Sequence, residues 1–246
     1  MKNLNYKIMR KLAFTLLMLM TLSLNAQDLT VKFLGIPVDG TKSEMISKLK
    51  QKGYKWDYDN ECLKGMFNGE EVYILIHTNN DLVDRITVTT FANPVSETQI
   101  KIKFNNLVYQ FENNKKYFSA SDSQYIEDNV DISYEMSANN KQFEAAFHQI
   151  HTKDEIEEIR QWVVENYDVI ISKLIESEEF EELGINSDEI INGNKEDNIN
   201  GILYLLETMH MMNNDVWFVI KEKGYNSYYI SLFYDNLSNK PNGEDL

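Results

Sequence analysis

Two short segments of the chain carry side chains that could bind a metal ion. The first, HQIHTKDE, contains His148, His151, Asp154 and Glu155. Histidines three residues apart share one face of a helix but lie on opposite faces of a strand. Because this segment has the pattern of a strand that runs into a helix cap, we interpret its histidines as solvated side chains at a boundary between two elements.

The second segment, TMHMM, places His210 among Met209, Met211 and Met212. Thioether and imidazole groups suit Cu(I), but methionines near the end of a helix are commonly core residues that fill gaps. We therefore predict that the protein has no metal ion and no other cofactor.

Catalytic motifs are absent from the sequence, which has no G-x-S-x-G, no glycine-rich phosphate loop, no C-x-x-C and no H-E-x-x-H. Cys62 lies in a predicted strand without a histidine nearby, so we expect a small buried side chain rather than a nucleophile. The carboxylates of ESEEFEEL crowd one helix, whereas a glycosidase holds two of them across a cleft. We interpret this run as a solvated face. The sequence therefore favours a protein that is not an enzyme.

Residues 1–26 have the pattern of a secretory signal peptide. Basic residues precede the apolar run LAFTLLMLMTLSL, and Ala26 is the expected last residue before cleavage. A lipoprotein would need a cysteine at the cut, and the one cysteine of the chain is Cys62. We predict a soluble exported protein, periplasmic or extracellular, that is not a lipoprotein. One cysteine cannot form an intrachain disulfide, so the core alone must hold the fold together.

The acidic composition limits the partners. The formal net charge is −15, and removal of residues 1–26 takes away four basic residues and no acidic one, which gives −19. Such a charge repels nucleic-acid phosphates and anionic lipid surfaces. No stretch after the leader approaches the roughly 20 apolar residues that a membrane helix needs. We predict that the protein binds no nucleic acid and does not insert stably into a membrane.

The elements that would position these side chains begin with a short helix and three strands. In DGTKSEMISKLKQKGY, Thr41 and Glu44 form a capping box at the helix start, and Gly53 stands where the helix ends. CLKGMF, EEVYILIH and LVDRITVTTF have the pattern of antiparallel strands, with Asn68 and Gly69 placed for a tight turn. Residues 27–93 are therefore predicted as a helix over an antiparallel meander.

The same order recurs in residues 94–246. Ser96 and Gln99 form a second capping box, and the strand-like segments DISYEMS and QFEAAFHQI follow. Residues 153–212 are predicted as a helical insertion, and DVWFVIKE and SYYISLFYD as a hairpin that joins the sheet of the second unit. The predicted fold class is α+β, with tandem helix-plus-antiparallel-meander units and a helical insertion before a C-terminal β-hairpin.

Three stretches carry a resemblance to known proteins: FLGIPVDGTKSEMISKLKQKGY, FNNLVYQFENN and the ending VWFVI…YYISLFYDNLSNKPNGEDL. They resemble a family of exported proteins from Gram-negative gut anaerobes that has no assigned activity. At the level of fold, the helix-plus-meander unit also resembles the repeat of beta-lactamase-inhibitor proteins and of small outer-membrane assembly lipoproteins. That resemblance implies binding of other proteins on an open sheet face. The chain departs from those lipoproteins because it lacks their lipid-bearing cysteine.

Aromatic residues of the last hairpin are the predicted binding residues. Strand alternation makes both faces of this hairpin apolar, and Trp217, Tyr229 and Phe233 are the candidates for contact with a partner. One face should pack on helices. The other is either covered by the insertion, as the apolar stripe that includes Trp162 and Val163 favours, or open as a recognition surface.

Functions of three classes fit these observations. The favoured one is a non-enzymatic module that binds another exported or envelope protein through an open sheet face. A glycan-binding module would show Trp217 and Tyr229 coplanar and exposed. An enzyme with an unrecognised site would show a deep polar pocket that holds residues with shifted pKa values.

Overall fold

The computed structural model describes residues 30–176, 193–224 and 226–240. The predicted signal peptide and most of ESEEFEEL lie outside these ranges. The described chain forms two compact units: a helical unit, Ile150–Met212, and a sheet unit made of residues 30–149 and 213–240. The predicted α+β class is confirmed. The predicted boundary between residues 93 and 94 falls within the sheet unit and stays a prediction.

The sheet unit opens with a two-stranded hairpin, β1 (Lys32–Phe33) and β2 (Ile36–Pro37). Side-chain amides hold its backbone in place of a third strand. The Val31 N–H donates to Oδ1 of Asn214 at 2.7 Å, and the Lys32 N–H donates to Oε1 of Gln149 at 2.6 Å. Because buried backbone groups need partners, these bonds fix the start of the described chain against the eight-stranded sheet, at Gln149 and Asn214.

Eight antiparallel strands form one continuous sheet, and their bounds are as follows: β3 Lys55–Asp57, β4 Cys62–Phe67, β5 Glu70–Asn79, β6 Leu82–Thr89, β7 Tyr117–Ser119, β8 Glu144–Gln149, β9 Asn214–Gly224 and β10 Ser227–Asn236. Their order is β3-β4-β5-β6-β10-β9-β8-β7. Each half keeps chain order, and the halves join where β6 pairs with β10. The C-terminal hairpin therefore lies at the centre of the sheet and completes both halves, whereas the sequence predicted pairing with the second half alone.

The helices of the sheet unit are α1 (Lys42–Gln51), α2 (Glu97–Glu112) and α3 (Ile132–Ala138). The capping boxes predicted at Thr41 and Ser96 are both confirmed. Asn68 and Gly69 adopt positive φ angles of 49° and 79° in the β4–β5 turn. Two positive φ angles match the right-handed twist of a two-residue hairpin, which is why the Asn-Gly pair identified this turn correctly.

The predicted strand DISYEMS is wrong, because residues Ile132–Ala138 form α3. Its apolar residues alternate, but Ile132 and Met136 are also four apart, which is the spacing of one helix face. The side chain of Asp131 caps the helix by accepting from the N–H of Tyr134 at 2.8 Å. The strand that pairs with β8 at this edge of the sheet is instead the short β7, which was not predicted from the sequence.

Aromatic and aliphatic side chains from α1, α2 and one sheet face form the core of this unit. Phe104 of α2 meets Phe218 of β9 edge-on, with ring centroids 5.0 Å apart, and Phe111 stacks on Phe147 of β8 at 4.9 Å. Such pairs add to the free energy gained from burying apolar area. The helices thus cover the sheet face that carries Val88, Phe218 and their alternating neighbours.

The helical unit contains α4 (Lys153–Glu165), α5 (Tyr167–Ile175) and the greater part of α6 (Lys195–Asn213). Its apolar stripes pack on one another in a separate core, made of Ile159, Val163, Ile170, Leu174, Ile199, Ile202 and Leu206, with Trp162 at its margin. The stripe expected to need a sheet face therefore has partners within its own unit. Among the described residues, no helix is both long and apolar enough to cross a membrane.

Candidate binding surface

The sheet has a second face, opposite the core, and its centre carries both polar and aromatic side chains. Alternation along β6 places Ile86 and Val88 in the core and puts Arg85, Thr87 and Thr89 on the other side. We call that side the second face. It continues across the paired strands of the sheet unit, because residues in register share a face.

A buried carboxylate organises the centre of the second face. Asp235 is 2% exposed. It accepts from Arg85 Nε at 2.5 Å and Nη2 at 2.8 Å, from Trp217 Nε1 at 2.9 Å and from Lys240 Nζ at 2.8 Å. We call these four residues the Asp235 network. A buried charge is tolerated when its lone pairs are occupied in this way.

Two opposing effects act on the pKa of Asp235. Burial raises it, but the hydrogen bonds from Arg85, Lys240 and Trp217 outweigh burial, so the net shift is downward from the ordinary value of 3.8. The same hydrogen bond raises the pKa of Arg85. Both side chains are therefore charged at neutral pH, and the network is an internal support of the sheet.

The structure brings two of the three predicted binding residues together. Trp217 stacks on Phe233, with ring centroids 4.1 Å apart and planes at 18°. The Arg85 guanidinium lies over both rings, 5.7 Å and 5.1 Å from their centroids. Phe233 is 7% exposed and Trp217 is half-buried. These rings pack within the sheet unit around the Asp235 network, and their role in binding a partner stays a prediction.

Tyr229, the third predicted residue, lies outside that stack. It is half-buried, and its ring meets Phe91 edge-on with centroids 5.3 Å apart. Lys223 lies over the ring of Phe91, with its Nζ 4.0 Å from the ring centroid. The same Nζ donates to the Phe91 carbonyl at 3.1 Å. Tyr229 is therefore part of a small aromatic and cationic cluster at the end of the C-terminal hairpin.

The second face becomes exposed and apolar toward β4 and β5. Met66 is 63% exposed and Leu75 is 38% exposed, with Tyr73 on the same face. We call Met66, Tyr73 and Leu75 the β4–β5 patch. Lys64 borders it: its Nζ is 3.1 Å from Glu71 Oε1 and 5.6 Å from the ring centroid of Tyr73. Sequence reasoning missed this patch, although in EEVYILIH apolar residues occupy both alternating faces of the strand.

A shallow hollow adjoins the patch at the sheet edge. It has a volume of about 510 Å³ and shares Met66, Lys64 and Glu71 with the patch and its border. Lys52 and Lys55 also line it. Asp57 and Glu71 line it as well, so three lysines face two carboxylates and the hollow carries a formal charge of +1 in a chain whose net charge is −15.

The histidines take part in contacts within each unit. In the sheet unit, His148 Nδ1 lies 2.9 Å from Asp215 Oδ1. In the helical unit, His151 stacks on His210 with ring centroids 3.6 Å apart and also contacts the Glu207 carboxylate. Both histidines of this stack are buried, so the solvated state expected for His151 is wrong.

The remaining metal-ligand and nucleophile candidates from the sequence are Glu155, Met209 and Cys62. Glu155 is occupied in the capping box with Thr152. Met209 has a side chain outside the described set. Among described residues, no group of three or more His, Cys, Asp or Glu side chains is arranged to hold a metal ion. Cys62 is buried as expected. Burial raises the pKa of its thiol, and the negative charge of Asp57 raises it further.

No family model matches the chain, and neither a curated protein nor a solved structure matches it. The resemblances drawn from the sequence therefore stay predictions.

Proposed function

We propose that this protein is a non-enzymatic module, exported from the cell, that binds another exported or envelope protein through the β4–β5 patch. One observation carries the proposal: Met66 and Leu75 are exposed on a sheet face whose centre is filled by the Asp235 network. Exposed apolar side chains grouped within a polar border are typical of protein interaction sites. The pattern of residues 1–26 supports export.

The fixed side chains beside the patch favour binding without rearrangement. Leu75 is in register with Thr87, and Thr87 is in register with Phe233, so the patch continues into the stacked rings. Those rings are fixed by Arg85 and by the hydrogen bond from Trp217 to the Asp235 carboxylate. A surface held by packed and hydrogen-bonded neighbours loses little conformational entropy when a partner docks.

The border of the patch indicates the chemistry of the partner. Lys52, Lys55 and Lys64 line the adjoining hollow, with Asp57 and Glu71 as the opposing charges. A partner segment with an apolar side chain for the patch and a carboxylate beside it would complement both features. Charge complementarity of this kind raises the association rate and selects among partners.

The experiment that tests the proposal is capture of partners with the mature chain and two patch variants, Met66→Asp and Leu75→Asp. The bait is immobilised and exposed to envelope and culture-fluid fractions of the producing cells. We expect a specific protein to be retained by the parent chain and at least tenfold less of it by either variant, since apolar anchors at the centre of an interface carry most of its affinity.

The matched control is Ile102→Asp, which places the same charge at an exposed apolar position on α2. This variant should retain the partner at the parent level. Equal loss from the control, or unchanged capture by both patch variants, would contradict the proposal. Circular dichroism of every bait verifies that each variant is folded.

A further inference from the structure

A cleft on the core side of the sheet unit has the features of a separate binding site. It lies between α2 and the sheet and has a volume of about 170 Å³. Its apolar floor consists of side chains from three strands, Val72, Val88, Ile230 and Leu232, all of them buried. This cleft is independent of the β4–β5 patch, which lies on the second face.

The volume sets the size of the group that fits. An engineered apolar cavity of about 150 Å³ holds one benzene molecule. The cleft therefore accommodates a single aromatic ring or a branched chain of four or five carbons. Leu107, half-buried on α2, forms the apolar wall above the floor.

Polar side chains at the mouth connect α2 to the β4–β5 turn. Lys103 Nζ lies 2.5 Å from Glu70 Oε1, and Asn68 Nδ2 donates to Gln110 Oε1 at 2.6 Å. The positive φ angles of the Asn-Gly turn bring Asn68 and Glu70 to this position. Both members of the ion pair are partly exposed, so a ligand that enters from solvent can reach them.

The mouth thus presents one cation and one anion above an apolar floor. A ligand with a single charge would satisfy one member of the Lys103–Glu70 pair and separate it from the other. A zwitterion can satisfy both, because its carboxylate replaces Glu70 beside Lys103 and its ammonium replaces Lys103 beside Glu70. Charge-assisted hydrogen bonds of this type are the strong ones.

We infer that the cleft binds a free apolar α-amino acid, with its side chain on the floor and its ammonium and carboxylate groups at Glu70 and Lys103. Asn106 also lines the cleft, and its side-chain amide is exposed. That amide is available to the ligand carboxylate. The inference does not rest on the proposed protein-binding function.

Calorimetric titration of the mature chain tests the inference with four probes. These are L-leucine, 4-methylpentanoate, which lacks the amino group, 3-methylbutylamine, which lacks the carboxylate, and glycine, which lacks the apolar side chain. We expect saturable binding of L-leucine at millimolar concentration or below, and at least tenfold weaker binding of each analogue. Absence of L-leucine binding, or an analogue that binds as tightly as L-leucine, would overturn the inference.

Charge variants identify the site. Lys103→Met should weaken L-leucine binding at least tenfold, and Glu70→Gln should do the same. The matched control is Lys64→Met, which removes one member of a similarly exposed ion pair on the second face. It should leave the affinity for L-leucine unchanged. Unchanged affinity in both cleft variants, or an equal loss in the control, would place binding elsewhere and reject this site.

Discussion

Arg85 and Asp235 lie 150 residues apart in the chain and form a two-point ion pair, with Nε–Oδ1 at 2.5 Å and Nη2–Oδ2 at 2.8 Å. They occupy paired positions on β6 and β10, where the two halves of the sheet join. The ion pair therefore links the two halves across the β6–β10 pairing at the centre of the sheet. Removing Asp235 would leave the Arg85 guanidinium partly buried and without this carboxylate partner.

The first prediction concerns the stability that this carboxylate provides. Asp235→Ala removes the acceptor for Arg85, Trp217 and Lys240, and we expect the free energy of unfolding to fall by about 3–5 kcal/mol, as for other broken buried ion pairs. Urea denaturation of the mature chain measures the change. The control is Glu71→Ala, which breaks the exposed ion pair between Lys64 and Glu71 and should give no resolvable change in the free energy of unfolding. Equal midpoints for the Asp235 and Glu71 variants would contradict the structural role of the network.

The second prediction is a pH dependence from the same group. The pKa of Asp235 is lowered in the folded state, so its carboxylate contributes stability above its ordinary value of 3.8. That contribution is lost as the pH falls through the lower folded-state pKa. Between about pH 5 and about pH 2, the parent chain should therefore lose more unfolding free energy than Asp235→Asn does. Parallel pH profiles for the two proteins would show that the folded-state pKa is not lowered.

The third prediction separates stacking from hydrogen bonding at Trp217. Trp217→Ala removes the ring that stacks on Phe233 and should cost about 3 kcal/mol, the lower end for such truncations, because Trp217 is half-buried. Trp217→Phe retains a ring but loses the donor to Asp235, and should cost about 1.5–3 kcal/mol. Thermal and urea unfolding measure both. An unchanged free energy of unfolding in Trp217→Ala would mean that the stack contributes nothing to stability.

The fourth prediction concerns two glycines with opposite expectations. A Cβ at Gly65 would lie 2.5 Å from Cδ1 of Tyr54, whose hydroxyl is held by the Met66 carbonyl at 3.0 Å. Gly65→Ala should therefore destabilise the sheet unit by about 1–3 kcal/mol. Gly201 lies within α6 with open space around it. Gly201→Ala should raise stability by up to about 1 kcal/mol. The reverse order of the two melting temperatures would contradict these contacts.

Local signals in the sequence were sufficient for part of this fold. Thr41, Ser96 and Thr152 each precede Glu or Gln by three residues, and all three capping boxes are present. The Asn68-Gly69 turn follows from backbone conformation alone. The strand prediction for DISYEMS was wrong because the spacing of Ile132 and Met136 fits a helix and a strand alike. Asp131, which caps the helix, was the signal that favoured a helix.

Contacts between distant segments could not be predicted in the same way. The pairing of β6 with β10 depends on which edges remain free after both meanders form, and no local pattern encodes it. Arg85 and Asp235 consequently appeared as two unrelated charges. Trp217 and Phe233 were selected from alternation, which gives the face of a residue but not the ring that stacks on it. The β4–β5 patch was missed because exposure depends on what the rest of the fold leaves uncovered.

The most direct test of the protein-binding proposal is site-specific photocrosslinking in the producing cells. A photoreactive amino acid replaces Leu75 in the β4–β5 patch or Ile102 on α2, and crosslinked products are identified by mass spectrometry. A distinct protein crosslinked from position 75 and absent from position 102 is the predicted result. Identical products from the two positions, or none from position 75, would contradict docking on the patch.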